Sequence, residues 1–195
     1  VPAAGRSARM GRPKLSLPLG GLTVLGHVVT ALRRGGADAV LVIVGPHDPA
    51  LAPLATAAGA FVLALADPTP DMRATVELGL RWLEERFRPR PDDAWLLAPA
   101  DHPALDADVV RRLCAAYTAR MPASVVVPVH EGRPGHPTLF AWRHAAGVLA
   151  HPAGKGINDY LRSQEEQMLE VAEPAAALGD MDTPEEYERL RREFH

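Results

Sequence analysis

The sequence is poor in three kinds of residue. Among 195 residues there is one cysteine, aromatic residues make up 5%, and all but two of the 21 basic side chains are arginine. A lone Cys114 excludes an intramolecular disulfide framework and suits a reducing compartment, so the cytoplasm is the expected setting. Its apolar helical context marks it as a core thiol rather than a nucleophile. A net charge of −3 supplies no basic face for a nucleic-acid polymer. No apolar run approaches the ~20 residues that cross a bilayer, no signal peptide is visible, and no membrane partner is expected. A glycine-flanked serine elbow, a His-x-x-x-His pair and a Cys–His pairing are all missing, which sets aside the common hydrolase signatures.

What is present is an ordinary globular composition, 47% hydrophobic and 23% charged, in a chain long enough for one domain with a full core. Ala39–Val44, Ala60–Leu65, Ala94–Ala98 and Ser124–Val129 are apolar runs rich in branched residues, which reads as strands buried on both faces. Between them, Leu25, Val28, Val29 and Leu32 after Thr23, then Met72, Val76, Leu80, Leu83 and Phe87, then Val110, Leu113 and Tyr117 after Asp106 recur at helical spacing. Strand and helix in alternation predict right-handed βαβ units and a doubly wound, mostly parallel sheet in three α/β/α layers, with ligands beyond the carboxyl ends of the strands. After residue 130 the alternation breaks. Thr138–Phe140, a helix near 141–150, a short helix over 157–162 and an edge strand over 167–172 are expected there. Thr183, Pro184 and Glu186 form the capping box of a final helix.

The chain is organised around its opening stretch, Val1-Pro-Ala-Ala-Gly5-Arg-Ser-Ala-Arg9-Met-Gly11-Arg-Pro-Lys14. Small residues bring backbone N–H groups close to a phosphate, and Arg6, Arg9, Arg12 and Lys14 can neutralise it. The glycine spacing is neither a Walker loop nor a dinucleotide fingerprint. The stretch begins at what reads as a strand end, so residues before Val1 are an expectation. Asp101, between two prolines with His102 and after a buried strand, is either a Mg²⁺ ligand facing that loop or an Asx-turn aspartate. Asp180 and Asp182 alternate across an extended stretch, so one faces the site. Helix-dipole stabilisation is the competing reading of Asp182. His136, between Gly135 and Pro137, is too constrained for a casual surface histidine. The only lysines, Lys14 and Lys155, both sit in loops.

Ala3–Lys14 with Leu17-Pro-Leu-Gly-Gly21, Pro99-Ala-Asp101-His-Pro103, Gly135-His-Pro137, Asp71-Met-Arg-Ala-Thr75 and Asp180–Tyr187 together resemble the MobA-like NTP transferase family, and within it the molybdenum cofactor (molybdopterin) cytidylyltransferases. The resemblance implies a Rossmann-like nucleotidyltransferase fold with a small acceptor-side insertion. It divides 1–195 into a nucleotide-binding half over about 1–130 and an acceptor-side half over 131–195. It also implies Mg²⁺-dependent transfer from a nucleoside triphosphate, CTP favoured, to a phosphorylated acceptor such as molybdopterin, with a molybdoenzyme as a further partner. On this likeness Arg9 and Lys14 are catalytic, and Ala3, Ala4, Gly5, Arg6, Ser7 and Thr75 bind the nucleotide. Asp101 and Asp182 hold the metal, and His136 and Lys155 face the acceptor. Pro2 replaces a leucine and Asp71 a glycine of the pattern. Ala153–Asn158 lacks the acidic residue and arginine of the molybdenum branch. A sugar phosphate or other small phosphorylated acceptor, or a non-catalytic cofactor-binding role, are therefore the alternative readings.

Overall fold

The computed structural model describes residues 1–5, 10–119, 124–152, 154–173 and 181–194. Two ladders of strands carry the site. In the first, β1 (Pro2–Ala3) runs parallel to β4 (Leu41–Val44), and β4 parallel to β5 (Phe61–Ala64). In the second the order is β10 (Met168–Ala172), β7 (Val125–His130), β9 (Thr138–Ala141), β6 (Ala94–Leu97), with β8 (Arg133–Pro134) paired to β7. β10 is parallel to β7, while β9 is antiparallel to both β7 and β6. The sheet is thus mostly parallel, as expected, with one reversed strand set inside it. A small antiparallel hairpin, β2 (Pro18–Leu19) with β3 (Leu22–Thr23), turns at Gly20. That glycine has φ of 55°, a conformation that costs a side-chain-bearing residue energy.

Helices cover both faces. Val126 and Leu139 point to one core with α1 (Val24–Arg34), α4 (Ala107–Ala119) and α7 (Pro184–Glu193), through Val28, Val110 and Leu113. Val125, Val127 and Phe140 point to the other, with α3 (Met72–Phe87), α5 (His144–Ala150) and α6 (Ile157–Arg162). Successive residues of β7 therefore serve opposite cores, which is why the run is apolar throughout rather than alternating. The remaining helix, α2 (Leu51–Ala57), packs against α1 and β5.

The caps follow the local sequence. Thr23 Oγ1 accepts from Gly26 N, Asp71 Oδ1 from Ala74 N and Asp106 Oδ1 from Asp108 N. At α7, Thr183 Oγ1 accepts from Glu186 N while Glu186 Oε2 accepts from Thr183 N. The helix expected from residue 141 starts later, at His144, because Ala141 completes the ladder with β6. Between β1/β4 and β6 lies an apolar cavity of about 580 Å³ lined by Leu41, Ile43, Val76, Leu80 and Trp95. No helix among the described residues is long and apolar enough to cross a membrane.

Candidate active site

A cleft of about 530 Å³ opens where the carboxyl ends of β1 and β6 meet the start of α3. Ala3, Ala4 and Gly5 form its floor, Asp71, Met72 and Thr75 one wall, and Lys14, Asp101 and Asp182 the other. The floor is set by a close approach: a Cβ on Gly45, just after β4, would lie 3.0 Å from Ala4 O.

Lys14 is fixed from the chain on either side. Met10 and Leu15 are buried in the core. Leu15 O accepts from Leu25 N at 3.0 Å and Leu17 O from Val24 N at 3.0 Å, which docks the segment on the first turn of α1. From there the Lys14 ammonium donates to Asp101 Oδ2 at 2.7 Å, Asp182 Oδ1 at 2.7 Å and Met181 O at 2.9 Å. Burial works to lower its pKa, but the hydrogen bonds and negative charge of the two aspartates outweigh burial and hold it above the usual lysine value. Lys14 is therefore a charged ammonium.

The two aspartates are joined through backbone. Met181 N donates to Asp101 O at 2.9 Å, and the Met181 side chain is fully buried. Glu186 Oε2 accepts from Asp182 N at 2.7 Å, so the box that caps α7 also orients Asp182. The Asx-turn reading of Asp101 and the helix-dipole reading of Asp182 leave out this convergence on one ammonium. Two hard carboxylates meeting at one cationic point, on the rim of a cleft, suit a Mg²⁺-like ion that completes its shell with phosphate oxygens and water. Among the described residues no group of three or more His, Cys, Asp or Glu could hold a metal. A divalent ion placed here would draw its remaining ligands from oxygens other than these side chains.

The other expected residues fall differently. Arg6, Ser7, Arg9 and Asp180 lie outside the described residues. Thr75 lines the cleft but is buried, and its hydroxyl is engaged with Thr69 Oγ1 at 2.6 Å and Asp71 O at 3.2 Å. It shapes the turn before α3 rather than offering an open hydroxyl. Arg12 stacks over the Tyr187 ring at 5.2 Å, and Lys155 is not among the cleft residues. His136 follows β8, with its ring centre 6.0 Å from that of His102. Burial first, then the charge of His102, pushes its pKa down to about 4 against opposing contributions from a Leu97 backbone hydrogen bond and Asp101. It is a neutral imidazole at pH 7, and its Nδ1 is buried with no hydrogen-bond partner among the described residues. Thr69, His47 and the Met181 carbonyl are site groups that the sequence pattern did not single out.

The fold and this site define the nucleotidyltransferase form of the α/β domain. The chain belongs to the family of the MobA-like NTP transferase domain, which matches residues 1–168. The bifunctional protein GlmU of Mycolicibacterium paratuberculosis is 27% identical over 91% of this chain, but the match spans only 33% of that protein. The chain thus covers about a third of the length of the curated relatives it matches. The crystal structure of Rv0371c from Mycobacterium tuberculosis superposes with a TM-score of 0.80 at 26% identity, covering 98% of this chain and 94% of that one. Its manganese complex gives 0.75 at 25%, covering 98% and 95%. A nucleotidyl transferase from Methanothermobacter thermautotroptrophicus shares the fold, at TM-score 0.79 and 23% identity over 99% and 94% of the two chains.

Proposed function

We propose that this chain transfers a nucleotidyl group from a nucleoside triphosphate, CTP favoured, to a phosphorylated acceptor and releases pyrophosphate, acting in the cytoplasm. The observation that carries this reading is the convergence of Lys14, Asp101 and Asp182 beside the backbone of Ala3–Gly5. A phosphate acceptor is already anionic at neutral pH, so no strong general base is needed, and positioning with charge neutralisation carries the reaction. Backbone groups of Ala3, Ala4 and Gly5, together with Arg6 and Ser7, bind the nucleotide, and Thr75 holds the wall of the cleft. Arg9 and Lys14 neutralise the departing pyrophosphate. A divalent ion held by Asp101 and Asp182, Mg²⁺ in the cell, supplies charge neutralisation and a template for the phosphate oxygens. The manganese bound by the related Rv0371c supports a divalent ion in this fold. His136 and Lys155 both lie outside the cleft lining, so they would meet only a large acceptor that extends beyond it. His136 would do so through a hydrogen bond as a neutral imidazole, and Lys155 from the loop before α6.

Molybdopterin is the acceptor implied by the resemblance, with delivery to a molybdoenzyme. The position of Lys155 away from the cleft lining favours the second reading, a smaller phosphorylated metabolite. Pyrophosphate release with CTP, GTP, ATP and UTP against both kinds of acceptor tests these readings. Asp101→Asn should lower turnover on the order of 100-fold or more while retaining the fold. A variant as active as the native chain overturns the site.

A further inference from the structure

An ammonium has three N–H donors and no acceptor. In Lys14 these meet Asp101 Oδ2, Asp182 Oδ1 and Met181 O at 2.7, 2.7 and 2.9 Å. Among the described residues, one ammonium thus sits where two carboxylates converge, in the position that suits a hard divalent cation. The same three donors cannot also hold a substrate phosphate while these bonds stand. The chain on either side of Lys14 is anchored by buried Met10 and Leu15, so any exchange is a movement of the side chain alone.

We propose that Lys14 is an exchangeable counter-ion, which occupies the Asp101–Asp182 pair in the free protein and passes to the triphosphate when a divalent ion takes the carboxylates. This rests on the nucleotidyl-transfer reading above. A divalent ion arriving alone must displace the ammonium and leave its charge facing another cation. A divalent ion arriving with a triphosphate brings oxygens that accept the displaced ammonium. The two ligands therefore load together, each strengthening the other. The carboxylates stay side by side with or without the ammonium, because the hydrogen bonds from Met181 N to Asp101 O and from Asp182 N to Glu186 Oε2 hold the backbone that carries them.

The test is Mn²⁺ binding to the full chain without nucleotide, read from the electron paramagnetic resonance of free Mn²⁺. Native protein is compared with Lys14→Met and with Lys14→Gln, whose amide keeps two donors, and thermal unfolding verifies that each is folded. Removing the competing charge should tighten Mn²⁺ binding by roughly tenfold or more. Adding Asp182→Asn to Lys14→Met should abolish the gain. A lysine that merely braces the fold would leave affinity unchanged or weaken it, and either result in a folded variant overturns the exchange. Pyrophosphate release by the native chain reports separately on the underlying reading. Tightened Mn²⁺ binding without any transfer activity would overturn nucleotidyl transfer and keep the exchange. Normal transfer with unchanged Mn²⁺ affinity would do the reverse.

Discussion

His144 lies buried with a hydroxyl on each side of its ring. Ser124 Oγ spends its hydrogen on Gln167 Oε1, so it accepts from His144 Nε2 at 2.8 Å, and Nδ1 then accepts from the Tyr160 hydroxyl at 2.8 Å. The serine is fully buried, so this Ser–His pair is a bracket between β7, α5 and α6 and not a nucleophile. His144→Phe leaves both hydroxyls short of a partner and should cost about 1–3 kcal/mol in urea unfolding. Burial, then the charge of Arg143, lowers the His144 pKa below the ordinary imidazole value. The unfolded chain takes up a proton near pH 6.5 that the folded chain refuses, so stability is full above that value and falls as pH drops toward the folded pKa. His136 acts in the same direction, between 6.5 and about 4. The phenylalanine variant should show a shallower loss over this range. An unchanged pH profile would mean that His144 contributes nothing to it. The residue scale is also where sequence reading was most exposed. Lys14 stood out because lysine is scarce, yet its partners lie 87 and 168 residues away, and no local pattern records them.

At the scale of elements, α7 does two jobs with one carboxylate. Glu186 Oε2 takes the N–H groups of both Thr183 and Asp182, at 2.9 and 2.7 Å. Those backbone hydrogen bonds, the one from Asp182 foremost, keep its pKa below the usual carboxylate value. Glu186→Ala should therefore cost about 1 kcal/mol of stability and also raise the divalent-ion concentration needed for half-maximal activity. Thr183→Ala, which removes a cap without touching Asp182, should cost a similar amount of stability and leave the ion requirement unchanged. Equal ion requirements in the two variants would separate the cap from the site. The capping box was legible in the sequence because it is a contact over three residues. That it also orients a metal-binding candidate was not, since the second acceptor role depends on where the chain preceding α7 runs.

At the scale of the whole molecule, Arg73 fastens the start of α3 to the loop between α5 and α6. It donates to the carbonyls of His151, Pro152 and Lys155 at 2.6, 2.6 and 3.0 Å, and to Glu77 at 2.7 Å. One guanidinium thus links the cleft wall of Asp71, Met72 and Thr75 to a segment nearly eighty residues on. Arg73→Ala should lower the urea midpoint by the equivalent of roughly 1–3 kcal/mol. Arg73→Lys should recover little, because a compact ammonium cannot span three carbonyls and a carboxylate. Full recovery by lysine would show that charge alone, not the fork, makes the link.

The sequence by itself determined the local elements. Continuous apolar runs marked β4, β5, β6 and β7, helical periodicity marked α1, α3 and α4, and Thr23, Asp106 and Thr183 marked where helices start. These are contacts over one to four residues, so their energetics are written in neighbouring side chains. The family was also legible, through motifs spread in order along the chain. Only the tertiary structure decided that β9 runs antiparallel between β6 and β7, that Arg12 stacks on Tyr187 and that Thr75 turns its hydroxyl to its own turn. It alone brought Asp101 and Asp182 onto one lysine. Strand direction and the meeting of distant charges depend on which surfaces the packed core brings together, and the same short motifs are compatible with several such arrangements.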